Sequence, residues 1–357
     1  MKFTLIDKIH AFMSKNQQSN GTTKQLQSYK NFLKKQFATQ YFLVILRLVL
    51  HKQSYYLYFN SMNKKLKGAI FGLIAAISYG LNPLGALYLY QDGFTVSSVL
   101  FYRYSIAVVG LIIMMLAKRE PFGISRREFG ILGLLGVLFA ISSITLYSSF
   151  LHMEAGIACT ILFVYPIMVA MIMSIFFKER VRFATIVSIA LALSGIGLLY
   201  QGDGNTTLST LGVILVLLSS LSYAIYIVIV NQAQLKMSAV KLTLYVMIIG
   251  AATVALNSFI NPGCGALQPI TTTTQLGFSL MLGIVPTLIS LVTMAIAVRL
   301  IGSTPTAIMG SLEPVTAVAI GSIVFDEHLT SRLLIGIAMI LSAVIIIIVS
   351  NTKKSTK

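Results

Sequence analysis

The sequence predicts an all-α polytopic membrane protein with ten transmembrane helices in two inverted five-helix repeats, and three observations carry that prediction. First, 56% of the 357 residues are hydrophobic and only 10% are charged, whereas a soluble domain puts roughly a quarter of its residues in Asp, Glu, Lys and Arg. The mean hydropathy is +0.85. Second, apolar stretches of about 18 residues or more, each able to cross ~30 Å of hydrocarbon, recur along the chain. Third, a run near residue 170 returns near residue 320. Tyr165-Pro166-Ile167-Met168 leads to Ser174-Ile175-Phe176-Phe177-Lys178-Glu179, and Glu313-Pro314-Val315-Thr316 leads to Ser322-Ile323-Val324-Phe325-Asp326-Glu327. A shift of 148 positions matches Pro with Pro, Ser with Ser, Phe with Phe and Glu with Glu. The short alternating segments of a β-barrel are missing.

The ten spans read as 66–89, 95–117, 129–151, 155–177, 183–201, 209–231, 239–260, 275–298, 303–325 and 331–350. The net charge of +17 needs its placement checked before it suggests a nucleic-acid partner. From Met62 onward, 16 of the 18 Lys and Arg fall in one alternate set of loops. The other set holds only Arg332, and Arg103 lies within a span. This asymmetry follows the positive-inside rule, so both termini are expected in the cytoplasm and no nucleic-acid partner is expected.

Residues 1–61 differ from the rest: polar, basic, with Asp7 as their one acidic residue. They are expected to be a disordered extension or to precede a true start at Met62, where Met62-Asn63-Lys64-Lys65 leads into the first span. The run Tyr41–Leu50 is too short to span and is interrupted by Arg47. The first repeat is expected over 62–204 and the second over 205–357.

Further echoes support the division. Ser78-Tyr79 in span one matches Ser222-Tyr223 in span six, and Ser97 with Val99 matches Ser238 with Val240. Five is odd, so the second copy enters the membrane from the opposite side. Two inverted copies of one unit are the usual plan of a secondary transporter. Here the residues also resemble a family. Gly156–Tyr200 resembles the fourth and fifth helices of an EamA-type unit, Thr304–Ile348 resembles its second copy, and Phe101-Tyr102-Arg103 resembles its arginine-bearing second helix. The chain from Lys64 to Ser350 is thus similar to the EamA-type transporters of the drug/metabolite transporter superfamily. That resemblance implies a ten-helix carrier of small metabolites, often directed outward, and implies no particular substrate.

Glu313 is the sharpest candidate residue. It falls near the middle of span nine, where an ionisable group is expensive and usually faces a polar cavity. Pro314 disfavours helix at Glu313 itself, so a break beside the carboxylate is expected. Arg103 lies about eight residues into span two, roughly 12 Å deep. There it would attract a substrate carboxylate or pair with an acidic residue, and Glu313 is the one acid at comparable depth. Tyr79, Asn82 and Pro83 in span one, with Tyr223 and Tyr226 in span six, are expected to line a path between the repeats. Tyr102, Tyr147 and Tyr165 are more readily packing residues. Pro83, Pro166 and Pro314 are the expected helix breaks. Glu179 and Glu327 sit at repeat-equivalent turns, where a carboxylate ahead of a new helix satisfies free N–H groups. His152 and Glu154 belong to a short outer turn. Gly130, Gly133 and Gly136, and likewise Gly68 with Gly72, form small-residue stripes suited to close helix packing. Such stripes serve packing within a bundle as well as between copies, so a homodimer stays open.

The chain has no Gly-Lys pair, hence no Walker A loop, and no HExxH motif or catalytic Ser elbow. Cys159 and Cys264 have no motif spacing, so neither a metal site nor a cofactor is expected. The sequence therefore points to a secondary-active transporter in the cell membrane that exports a small, amino-acid-like metabolite by alternating access. Its partners would be that substrate and the lipid bilayer. The rival is a polytopic membrane protein that does not transport, either an enzyme or a structural subunit.

Overall fold

The computed structural model describes residues 63–178, 183–200, 209–233, 235–260, 265–325, 327 and 330–352. The extension 1–61, Glu179 and Cys264 lie outside these residues. Among the described residues every regular element is a helix. Eight stretches are long and apolar enough to cross a membrane, and Phe183–Leu198 and Ser331–Ile346 are two shorter apolar helices. Span one is α1 (Lys64–Gly80) and α2 (Asn82–Gln91), span two is α3 (Val96–Ala117), and span three is α4 (Arg126–Ser149). Span four is α5 (Ala155–Leu162) and α6 (Tyr165–Phe177), and span five is α7 (Phe183–Tyr200). Span six is α8 (Thr210–Ala233) and span seven is α9 (Ala239–Ile260). Span eight is α10 (Thr273–Gly283), a π-helical turn (Ile284–Ile289) and α11 (Ser290–Ile301). Span nine is α12 (Ser303–Gly310) and α13 (Leu312–Phe325), and span ten is α14 (Ser331–Thr352). Ile175, Phe176, Phe183, Phe259 and Ile323 are exposed, as side chains turned to lipid are.

The interruptions share one physical cause. Proline lacks an N–H, and its ring clashes with the carbonyl four residues earlier. For Pro83, Pro166, Pro286 and Pro314 that carbonyl belongs to Tyr79, Leu162, Leu282 and Gly310. Accordingly α5 stops at Leu162, α12 at Gly310, and α1 one residue beyond Tyr79, while α10 passes into the π-helical turn around Pro286. Three of the freed carbonyls regain a donor from a side chain. Asn82 Nδ2 donates to Tyr79 O at 2.8 Å, Ser220 Oγ to Leu162 O at 2.9 Å, and Thr287 Oγ1 to Leu282 O at 2.9 Å. Side-chain replacement of this kind is how a helix within a bilayer tolerates proline. One expectation is corrected: the break falls at Ser311, not at Glu313. Proline is accepted in a first turn, so Glu313 is itself helical, the second residue of α13.

Packing follows the inverted two-fold. Spans two and seven, four and nine, and five and ten pack on one another. Span three packs on six as eight packs on one; three packs on seven as eight packs on two; and four packs on six as nine packs on one. Exchanging each span with the one five places on returns these same pairings. The starts of α3 and α9 repeat in detail. Thr95 Oγ1 accepts from Ser98 N at 3.2 Å, and Ser238 Oγ accepts from Lys241 N at 3.1 Å. Seven residues further on, Tyr102 OH donates to Gln268 O at 2.9 Å, and Tyr245 OH donates to Phe122 O. The true equivalence is therefore Thr95 with Ser238, two residues from the Ser97–Ser238 match that the sequence suggests.

Candidate functional site

Between the two halves lies a cavity of about 550 Å³, within the range of small-molecule sites. Among the described residues, every span except five and ten contributes to its lining. It reaches Ala239, Val298 and Arg299, which are exposed at the ends of α9 and α11 beside the Lys- and Arg-rich loops. The opposite end is tied shut. There Thr95 N donates to Gln268 Oε1 at 2.9 Å, Gln268 Nε2 to Gly93 O at 3.1 Å, and Gln275 Nε2 to Asp92 O at 3.3 Å. Tyr79, Asn82, Arg103, Tyr223 and Glu313, drawn from four spans, all line this one cavity.

Arg103 is only 3% exposed, and its hydrogen bonds explain why it can be so buried. Nη1 donates to Tyr147 OH at 2.8 Å, and Nε donates to Thr287 Oγ1 at 3.1 Å. Its guanidinium also lies 5.9 Å from the Tyr104 ring centre and 5.6 Å from that of Tyr147, spreading its charge over aromatic faces. Tyr147 OH in turn donates to Asn82 Oδ1 at 3.1 Å. Arg103 thus joins two proline breaks from opposite halves: Pro83 through Tyr147 and Asn82, and Pro286 through Thr287. The expected pairing of Arg103 with Glu313 is not formed. Tyr147, expected as packing, bonds Arg103 and Asn82, and Thr287 is a site residue that the sequence does not single out. The signal for Thr287 was its place directly after Pro286, where a hydroxyl can serve the carbonyl that proline frees.

Glu313 opens into the cavity from the first turn of α13, where the helix dipole favours a carboxylate. Among the described residues no hydrogen bond or ion pair reaches its side chain. Gly80 brings this turn close: a Cβ there would stand 2.7 Å from the Glu313 carbonyl oxygen. Aromatic rings flank the same region. Tyr165 and Tyr223 meet edge to face at 4.8 Å and 78°, Phe163 and Tyr165 at 5.8 Å and 85°. Tyr223 lies parallel to Tyr226 at 5.7 Å and 7°. Tyr165, Phe163 and Cys159 enter from span four, which the sequence did not place at the cavity.

Glu327 caps a helix, but not the one that follows it. Its Oε1 accepts from Ala155 N at 3.1 Å, at the start of α5 in the other half. The helix after Glu327 is capped instead by Thr330, whose Oγ1 accepts from Leu333 N at 3.2 Å. Burial, with Glu154 nearby, pushes the Glu327 carboxyl up to about 7, against the pull of the Ala155 and Gly156 N–H groups. Of the glycine stripe, Gly136 packs against Ile249 of α9, while Gly130 and Gly133 face open space. Gly68 and Gly72 pack on Ile301 and Met309 within the bundle.

Comparison with known proteins agrees with this architecture. Residues 66–201 and 210–349 each match the EamA-like transporter family. A protein of Archaeoglobus fulgidus named an uncharacterized transporter is 29% identical over 193 residues, covering 54% of this chain and 67% of its own length. The uncharacterized transporter YcbK of Bacillus subtilis is 23% identical over 277 residues, covering 75% of this chain and 88% of its own. A solved crystal structure, 14% identical, superimposes with a TM-score of 0.58 over 79% of this chain and 96% of that one, a likeness of fold. Two matched copies over most of its length, packed about one cavity, make this chain a multi-pass membrane protein of the EamA-like transporter family.

Proposed function

We propose that the protein is a secondary-active carrier that exports a small, amino-acid-like metabolite by alternating access between its two inverted halves. It would do so in the cell membrane with both termini in the cytoplasm, as the distribution of basic loops favours. The observation that carries this reading is the one-ended cavity: it reaches the exposed ends of α9 and α11 on the basic-loop side and is closed on the other. Inverted repeats make the closed end a near image of the open one, so exchanging the two arrangements would open the other face. Within the path, Glu313, Tyr79 and Tyr223 would contact the substrate, and Asn82 and Arg103 would hold its floor in place. A carboxylate held in an occluded cavity at membrane depth is costly unless a proton or a cation neutralises it, so Glu313 would be the coupling residue. The test is flux of a metabolite panel in proteoliposomes, with and without a pH gradient, for wild type and Glu313→Gln. Gradient-driven flux that the substitution abolishes is the expected result. Wild-type flux untouched by the substitution would remove Glu313 from the mechanism, and absence of gradient-driven flux would contradict the carrier.

A further inference from the structure

The cavity is lined by a carboxylate and a group of aromatic rings, and among the described residues no charged side chain pairs with the carboxylate. Glu313 has no ion pair or side-chain hydrogen bond among the described residues. It lines the same cavity as Tyr79, Tyr165 and Tyr223. Tyr165 and Tyr223 meet edge to face with ring centres 4.8 Å apart, and Tyr226 lies parallel to Tyr223 at 5.7 Å, so aromatic surface is concentrated in this part of the lining. A carboxylate beside aromatic faces suits an organic ammonium group. Coulomb attraction holds the charge, and the negative ring faces attract the cation and its alkyl groups together.

Arg103, the candidate partner for a substrate carboxylate, is situated differently. It is 3% exposed and already donates to Tyr147 and Thr287. Those two hydroxyls also serve the Pro83 and Pro286 breaks. A ligand carboxylate that drew the guanidinium away would cost the buried Arg103 its hydrogen bonds to both hydroxyls. Arg299 at the mouth is exposed, so water and salt screen its repulsion of a cation.

The geometry points to organic amines as the substrate class, held by their ammonium group between Glu313 and the faces of Tyr165 and Tyr223, with no carboxylate required on the ligand. This rests on the carrier reading for the route the amine takes, and not for its binding.

The experiment is thermal unfolding of the purified full chain in detergent, titrated with matched ligands. One set is leucine, isoamylamine and isocaproate; another is phenylalanine, phenethylamine and hydrocinnamate; tetraethylammonium is added as a quaternary cation. The amines are expected to raise the unfolding temperature and to bind at least about tenfold more tightly than the matched acids. Glu313→Gln should lose the amine response and Glu313→Asp should keep part of it, which separates lost binding from lost folding. Tyr223→Leu should weaken amine binding roughly 3- to 30-fold. Acids binding as tightly as amines, binding unchanged in Glu313→Gln, or no amine response in the wild type would each overturn the proposal. Failure of the carrier reading looks different: amine binding would persist without flux. Gradient-driven flux of an acid but not of its matched amine would instead sink the substrate class and leave the carrier standing.

Discussion

Asn82 shows how much one side chain does in this fold. Its amide supplies the donor that Pro83 cannot, and its carbonyl accepts the Tyr147 proton that completes the Arg103 chain. Hydrogen bonds between membrane helices average about 0.6 kcal/mol, so Asn82→Ala should cost on the order of 1 kcal/mol for the two it removes. Pro83→Ala restores a backbone N–H aimed at the Tyr79 carbonyl. Asn82→Ala should therefore cost less in a Pro83→Ala background than alone, a coupling that unfolding of the four proteins in detergent would read. Equal costs in both backgrounds would dissociate Asn82 from the proline break. The candidates Tyr79, Asn82, Arg103, Tyr223 and Glu313 were legible in the sequence because a polar or ionisable group inside an apolar span stands out. Their partners were not. Tyr147 and Thr287 act through three-dimensional contacts across spans two, three and eight, and a hydroxyl among so many gives no signal of its own. The role of Arg103 changes for the same reason, since depth was readable and the hydroxyls around it were not.

Helix pairs set the geometry that those residues use. Gly80 lets α1 approach the first turn of α13, and a methyl group there meets both the Glu313 carbonyl oxygen and Thr316. Gly80→Ala should destabilise by about 1–3 kcal/mol through overpacking and should lower ligand affinity by displacing Glu313. An unchanged unfolding temperature and unchanged binding would show that spans one and nine have slack. Glu327 ties the turn after α13 to the start of α5, and its carboxyl is raised by burial to about 7. A carboxyl raised on folding favours the folded state most below its unfolded value of 4.5, and that contribution is lost as pH rises through about 7. The unfolding temperature should therefore fall between pH 5 and pH 8, and Glu327→Gln should flatten the fall; an unaltered slope would assign the dependence elsewhere. The shift of 148 residues foretold equivalent glutamates, but equivalence in sequence did not say which helix each would cap. The start of α5 is brought to Glu327 only by the packing of span four on span nine.

On the scale of the whole molecule, hydropathy and loop charge were enough to read ten helices, because a bilayer admits so few alternatives. The repeat was readable too, since Pro and Glu recur in step with the apolar runs. Beyond its existence between the halves the cavity was not readable, because the lining is drawn from eight spans whose packing order no local pattern encodes. Spans five and ten, as apolar as the rest, pack on each other and leave the lining to the other eight. In the proposed mechanism a single cavity faces the two sides of the membrane in turn. Met294 of α11 lies in its wall, so a cysteine placed there, with Cys159 and Cys264 replaced by Ser, reports on access. The measurement is its reaction with a membrane-impermeant maleimide applied to one face and then the other of oriented proteoliposomes. Ready labelling from the basic-loop face is expected, with labelling from the opposite face that is slower at rest and quickens under an imposed gradient. Equal labelling from both faces at all times would mean an open pore, and labelling confined to one face under every gradient would mean a static pocket; either result contradicts that mechanism.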